Sequence, residues 1–323
     1  VAAVSLVNMA MSFTDTVMAA SLGPKALAAV SLGGDAAGIV AVFAIGAIGG
    51  VAPAYARAAA AGDLSGLAAL RSASWALAAL IALVTFPVIW SGTSILSALS
   101  LPGQILAEGQ GYIRAMAVNI LPLLALAVLR NRATALERPG LLLRIMLAAL
   151  PLNAALNWIL MHGAGTWSGF GATGLGLSSI IVTSLMVAAL ALALRRAGDG
   201  GAQDRLDPKL VLRLGRVGLP IGISMLASLG IFLGATVYAA RFGTEAAAAH
   251  ALAIRLAGLA YALSIGLTHA CAVRSARRGE NVVRGPALRV ALLAGLCIAA
   301  FVAAIASPMS QYLLPDPEIA VLA

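Results

Sequence analysis

Long apolar runs broken by short polar gaps set the rhythm of this chain. A bilayer core about 30 Å thick needs roughly 20 apolar residues per helix. On that ruler nine spans fall near 1–22, 26–56, 72–100, 112–134, 141–162, 171–194, 216–240, 246–273 and 286–307. After the polar stretch SPMSQYLLPDPE, the final IAVLA reads as the start of a tenth. Strand-length alternation of apolar and polar residues does not recur, which argues against a β-barrel. The pattern predicts an all-α polytopic membrane protein. The chain opens on Val1 inside an apolar run, with no basic segment or small-residue cleavage site ahead of it. That reads as a piece truncated at both ends, not as a signal peptide.

The gaps orient the spans. Even-numbered gaps hold Arg57 and Arg71; Arg130, Arg132, Arg138 and Arg144; Arg195, Arg196, Arg205, Lys209, Arg213 and Arg216; then Arg274, Arg277, Arg278, Arg284 and Arg289. Odd-numbered gaps hold little beyond Lys25 and Arg241, with Arg114 just inside a helix start. The positive-inside rule then puts the even gaps in the cytoplasm.

The longest polar gap, 195–216, mixes Gly, Asp and Pro with charge, as a linker does. It divides the chain into a six-helix N-lobe (1–194), a cytoplasmic linker (195–215) and the start of a C-lobe (216–323). A shift of 220 residues lays TVMAASLGPKALAAVSLGGD (16–35) on TVYAARFGTEAAAAHALAIR (236–255), with nine of twenty positions identical. Six helices per half send both halves into the membrane in the same direction. That is a parallel repeat, one of the recurring transporter plans, and here its second lobe is incomplete.

Composition narrows the classes. Hydrophobic residues make up 61% and charged residues 10%, against roughly 25% charged in a soluble domain. The net charge of +9 is spread over short loops instead of one face, so a nucleic-acid partner is excluded. Cys271 and Cys297 lie in or beside apolar segments as packing thiols, and His162, His250 and His269 are scattered. No metal cluster, cofactor motif or nucleophile–base pair emerges, so an enzyme is not expected. GATGLGLSS (171–179) follows no strand and reads as a Gly-rich helix start, not a dinucleotide loop. Gly46/Gly50 and Gly230/Gly234 are small-xxx-small pairs that read as helix packing.

The chemistry concentrates on few residues. Of the twelve acids only Asp15 and Asp35 lie well inside spans, where a carboxylate costs about 2.5–3.5 kcal/mol on insertion scales. Such groups mark ion or proton sites by default. Asn8, Met11, Asp15 and Met18 share one helix face at spacings of three and four, which predicts a polar-lined side. Asn153 and Asn157, four apart on the fifth span, form a second polar stripe. Ser179 and Thr183 add oxygens from the sixth, and Tyr112 and Asn119 face alike on the fourth. Asp35 and Arg255 are equivalent under the 220-residue shift, each about 15 Å deep, which suggests a salt bridge across the lobes that gates the outer side.

Several runs closely resemble the multidrug and toxic compound extrusion (MATE) transporters: SFTDTVMAASLGPKALAAVSLG (12–33), LRNRATALERPG (129–140), LNAALNWILMHG (152–163), GATGLG (171–176) and GLPIGIS (218–224). The segment RFGTEAAAAHALAIR (241–255) fits the second half of the same pattern. The resemblance implies two six-helix lobes exporting cationic drugs or metabolites in exchange for H⁺ or Na⁺. It also implies that Asp15 bears the coupling cation, with Asn153, Asn157, Ser179 and Tyr112 around it. Asn8, Met11, Met18, Asn119 and Thr183 then face the substrate cavity. Where some members carry a seventh-helix Glu, this chain has Ser228, and 216–240 holds no acid. Coupling is therefore expected through the N-lobe.

The expectation is a secondary antiporter for amphipathic, cationic small molecules. It needs the bilayer, no cofactor beyond its coupling ion and no obligate protein partner. A lipid-linked oligosaccharide flippase would need several basic residues lining its cavity, and only Arg255 qualifies. A membrane-embedded lipid-modifying enzyme would need clustered acids, and these are dispersed.

Overall fold

The computed structural model describes residues 2–99, 103–136, 139–163, 165–196 and 206–243, with 246, 250, 253, 254, 258, 285, 288–297, 299, 300 and 304. The chain runs through α1 (Ala2–Ser21), α2 (Pro24–Gly49), α3 (Val51–Ala60), α4 (Leu64–Trp90) and α5 (Gly92–Ala98). Then follow α6 (Gly103–Ala135), α7 (Pro139–His162), α8 (Ala172–Arg196) and α9 (Pro208–Ala239). Among the described residues six helices are long and apolar enough to cross a bilayer. To these α1 adds 20 residues, a span's length, made more polar by Asn8, Ser12, Thr14, Asp15 and Thr16. The expected span 246–273 falls largely outside the described residues, and within 286–307 a shorter apolar helix is described over Leu288–Cys297.

The helices are longer than their apolar runs. α4 begins at Leu64 instead of 72, α6 at Gly103 instead of 112, and α9 at Pro208 instead of 216. Hydropathy marks only the hydrocarbon-facing part, whereas a helix continues until its end groups are satisfied. Asp207 caps α9 by accepting from the Lys209 amide at 2.9 Å, and Asp63 caps α4 by accepting from the Gly66 amide at 2.8 Å. The run 72–100 is in fact two helices, broken at Ser91. There Gly92 lets the chain turn closely on α6: a Cβ on it would sit 3.0 Å from Ile113 Cγ2. α2 and α3 are likewise divided at Gly50, because Pro53 has no N–H for the helix ladder. Asn131 of α6 donates its Nδ2–H to the Ile48 carbonyl beside that break, at 3.2 Å.

The Asp63 carboxyl is held below the ordinary carboxylate range, first by the Gly66 N–H and then by the Ser65 hydroxyl. A depressed folded value means the cap is complete above an unfolded pKa of about 3.9 and is lost as pH falls through the folded value. Protection of the Gly66 amide from hydrogen exchange is expected to hold at neutral pH and to decline in that acid window. Asp63→Ala should remove it at every pH.

α2 and α6 lie at the centre: α2 packs on α9, α6 and α4, and α6 packs on α8. Leu32, Ile48, Val51, Tyr55, Ile105, Ile120 and Leu124 are fully buried there. The outward faces stay apolar, as at Leu83, Val84 and Ile231. Hydrocarbon gives helices no hydrophobic reason to associate, so contact depends on close backbone approach. The α2–α9 crossing supplies it. A Cβ on Gly46 would lie 2.7 Å from Gly222 Cα, one on Gly50 2.8 Å from the Gly218 nitrogen, and one on Gly218 would collide with the Ala47 carbonyl oxygen.

The expectation for Gly230/Gly234 does not hold among the described residues. A Cβ on Gly230 would meet only Leu226 of its own helix, and one on Gly234 nothing within 4 Å. Rotation and depth bring Gly218 and Gly222 to α2 instead. Gly23 and Gly243, paired by the 220-residue shift, share one left-handed turn conformation, with φ of 104° and 111° and ψ of 170° and 177°. Only glycine takes it at little cost.

Candidate functional site

Asp15 sits on α1 where it packs against α7. Asn153 and Asn157, four residues apart, present their amides on one face of α7 and both reach the same oxygen. Asn153 Nδ2–H donates to Asp15 Oδ1 at 2.8 Å, and Asn157 Nδ2–H donates to it at 2.6 Å. The two asparagines are only 2% and 0% exposed, while Asp15 is half-buried. Of the neighbouring hydroxyls, Thr14 donates to the Ala10 carbonyl at 2.8 Å and Thr16 to that of Ser12 at 2.9 Å.

Hydrogen bonds to a charged group contribute about 1.5–3 kcal/mol each. Two amides therefore offset a carboxylate's insertion cost of about 2.5–3.5 kcal/mol. In this geometry both amides offer N–H to one oxygen, which can accept them whether the carboxyl is ionised or carries a proton on its other oxygen. The arrangement leaves Asn157 Oδ1 buried without a hydrogen-bond partner among the described residues, an acceptor beside a carboxylate. Asn157→Leu removes one donor and should cost about 1.5–3 kcal/mol in thermal unfolding. A cost near zero would mean that the carboxylate does not depend on the pair.

The remaining predicted residues are distributed around this centre. Tyr112 of α6 is buried, its ring against Gly176 of α8 and its phenol 3.2 Å from where a Gly34 Cβ would stand on α2. Ser179 donates to the Leu175 carbonyl of its own helix at 3.1 Å, and Thr183 is half-buried. Asn119 has a buried Oδ1 with no partner among the described residues. Asn8 is exposed. Met11 packs against the cluster containing Leu129, Leu142 and Val182, and Met18 against that of Met161 and Leu175. Asp35 is buried on α2 at 2% exposure. Arg255, its expected partner, lies outside the described residues. Ser228 donates to the Ser224 carbonyl at 2.9 Å.

One tie was not read from the sequence. His162 Nε2, at the end of α7, lies 3.3 Å from Ser21 Oγ at the end of α1. Ser21 Oγ also lies 2.6 Å from the Met18 carbonyl oxygen, to which it donates. His162 also stacks on Trp158, with ring centroids 4.3 Å apart. The α1–α7 pair is thus fastened both at Asp15 and at this end. Nothing in the spacing of Ser21 and His162 signals it.

A family model, MatE, matches residues 1–159. The probable multidrug resistance protein NorM of Mesorhizobium japonicum is 31% identical over 279 residues, covering 84% of this chain and 60% of that protein. Its namesake from Pseudomonas aeruginosa is 31% identical over 317 residues, covering 91% and 64%. That from Bradyrhizobium diazoefficiens is 32% identical over 309 residues, covering 92% and 66%. The chain therefore spans 60–66% of the length of these relatives. Among solved structures, the inward-facing conformation of a multidrug resistance MATE family transporter of the MOP superfamily superposes with a TM-score of 0.71 at 21% identity. It covers 98% of this chain and 74% of that one. The eukaryotic MATE transporter AtDTX14 gives 0.74 at 16% identity, covering 99% and 74%. At these identities the likeness carries the fold alone.

Proposed function

The chain belongs to the MatE family, and from that membership we propose that the whole protein is a secondary antiporter exporting amphipathic organic cations in exchange for H⁺ or Na⁺. The observation that supports this reading is the Asp15 carboxylate held by two buried amides inside an apolar bundle. Residues 1–194 act as the N-lobe and 195–215 as a cytoplasmic linker. The part from 216 onward belongs to a second lobe related to the first by the 220-residue shift. The even-numbered loops face the cytoplasm. Asp35 and Arg255 pair across the lobes as an outer gate: reversing both charges retains transport, whereas reversing either alone impairs it.

Coupling follows from hydrogen-bond capacity. An ionised carboxylate is an acceptor only, and both amides donate to it. A proton on Asp15 makes it a donor, and the Asn157 Oδ1 beside it becomes the acceptor it needs. Na⁺ instead wants oxygens, which the carboxylate and amides turned about their Cβ–Cγ bonds supply. Either ion changes how α1 can dock on α7. Substrate cations compete for the same negative charge, so ion and substrate exclude one another. A ligand drives alternation only through such differential affinity.

The test uses everted vesicles holding the complete transporter, in which ethidium uptake is followed under an imposed pH gradient and then under a Na⁺ gradient. Uptake driven by one of them identifies the ion. Uptake driven by neither would sink the antiport reading.

A further inference from the structure

Beside the glycine crossing, α2, α4 and α9 leave an apolar groove of about 240 Å³. Phe43 and Ala47 contribute from α2, Leu80 and Val84 from α4, and Gly215 and Leu219 from α9. Its walls are uncovered among the described residues: Leu80 is 55% exposed, Val84 63% and Leu219 47%. The groove exists because Gly215 has no side chain; a Cβ there would already lie 3.6 Å from Leu77 Cδ1. In hydrocarbon, a hollow of this kind on a lipid-facing surface takes an acyl chain.

Charge indicates which lipid it is. Lys209, Arg213, Arg216 and Leu219 follow one another on α9 at spacings of four, three and three, which makes one continuous ridge along the helix. The three basic residues are all exposed, and the ridge ends on the groove wall at Leu219. α4 and α9 both start at basic loops and meet where Gly215 approaches Leu77. Arg71, six residues before Leu77, therefore stands about 9 Å nearer those loops, level with Lys209, which is six residues before Gly215. No acid follows on α9, and the Asp207 carboxylate before it is already engaged by the Lys209 backbone N–H. Lys209 lies about 9 Å and Arg213 about 3 Å above Gly215, Arg216 stands at the rim of the groove, and the apolar walls continue about 10 Å deeper to Val84. Basic groups above and at the mouth of an apolar groove match the anatomy of a phospholipid.

We propose that this groove binds an anionic phospholipid from the leaflet bordering the basic loops. One acyl chain lies between α4 and α9, and the phosphate is held by Arg216 with Arg213 and Lys209. The groove shares Ala47 with the close approach of Gly218, so the bound lipid braces the α2–α9 crossing.

The test takes the complete transporter purified in mild detergent. It is titrated with phosphatidylglycerol or phosphatidylcholine of identical acyl chains, and retained lipid is counted by native mass spectrometry. Unfolding temperature is followed with each lipid. Phosphatidylglycerol should be retained at about ten-fold lower concentration, and it alone should raise the unfolding temperature. Arg213→Gln with Arg216→Gln should erase that preference. Gly215→Leu or Leu219→Trp, which fill the groove, should weaken both lipids while leaving their ratio unchanged. Equal retention of the two lipids by the wild type, or a preference surviving the glutamines, overturns the proposal. So does unchanged retention in both groove-filled variants, which would leave only adsorption to a basic surface. None of these readouts involves transport, so the result stands apart from the fate of the ion-coupling reading.

Discussion

Asp15→Asn in the complete transporter is expected to abolish ion-driven ethidium accumulation while leaving the protein folded in the membrane. Asparagine keeps the shape of the side chain, and its carbonyl oxygen can still accept from Asn153 or Asn157. What it loses is the charge. Each coupled charge carries about 2.3 kcal/mol per 100 mV of membrane potential, so losing one lowers the attainable accumulation ratio roughly fifty-fold per 100 mV. Removing a carboxylate from hydrocarbon also removes its insertion cost, so the unfolding temperature should stay level or rise. That split is the diagnostic: lost uptake with kept stability assigns Asp15 to coupling. Unchanged uptake with lowered stability would make the carboxylate a structural tie between α1 and α7, and the proposed mechanism would fail.

Gly218→Val should be the most damaging substitution outside that site. Its Cβ would meet the Ala47 carbonyl oxygen, and the neighbouring Gly222 and Gly46 leave no side-chain end that could give way. Backbone on both sides has to move. Overpacking of this kind costs about 1–3 kcal/mol, and here it falls on the most extensive helix pair among the described residues. The expected result is a lower unfolding temperature, with transport reduced at least ten-fold in whatever protein remains folded. Gly234→Ala is the matched control on the same helix, since its Cβ meets nothing described within 4 Å. It should fall within about 0.5 kcal/mol of the wild type. If the two variants behave alike, the crossing is not a close contact in the membrane.

The acid and the two amides that meet between α1 and α7 are conspicuous in the sequence. A lone acid in an apolar run is conspicuous because hydrocarbon penalises it so heavily, which singled out Asp15. The i, i+4 spacing of Asn153 and Asn157 placed two amides on one face of one helix. That both donate to a single oxygen, Oδ1, could not be read, since it depends on how α7 is rotated about its axis against α1. The Ser21–His162 tie depends on the same docking and has no local signature. The ring of Tyr112 lies beside Gly34 and Gly176, a placement set by how α6 docks on α2 and α8 and not legible in the spacing of Tyr112 and Asn119.

By itself the sequence determined the quantities that add up along the chain: which segments are apolar enough for a bilayer, where charges interrupt them and which gaps carry the basic excess. Burial in lipid depends on each segment's own composition, so no partner is needed to predict it. The tertiary structure decided the quantities that depend on pairs. Gly46/Gly50 and Gly230/Gly234 have the same spacing, but only the first pair meets a backbone among the described residues, and it meets Gly218 and Gly222. In a bilayer every helix is apolar on nearly every side, so hydropathy does not mark the contacting face. Helix rotation and depth do, and the packed bundle sets both.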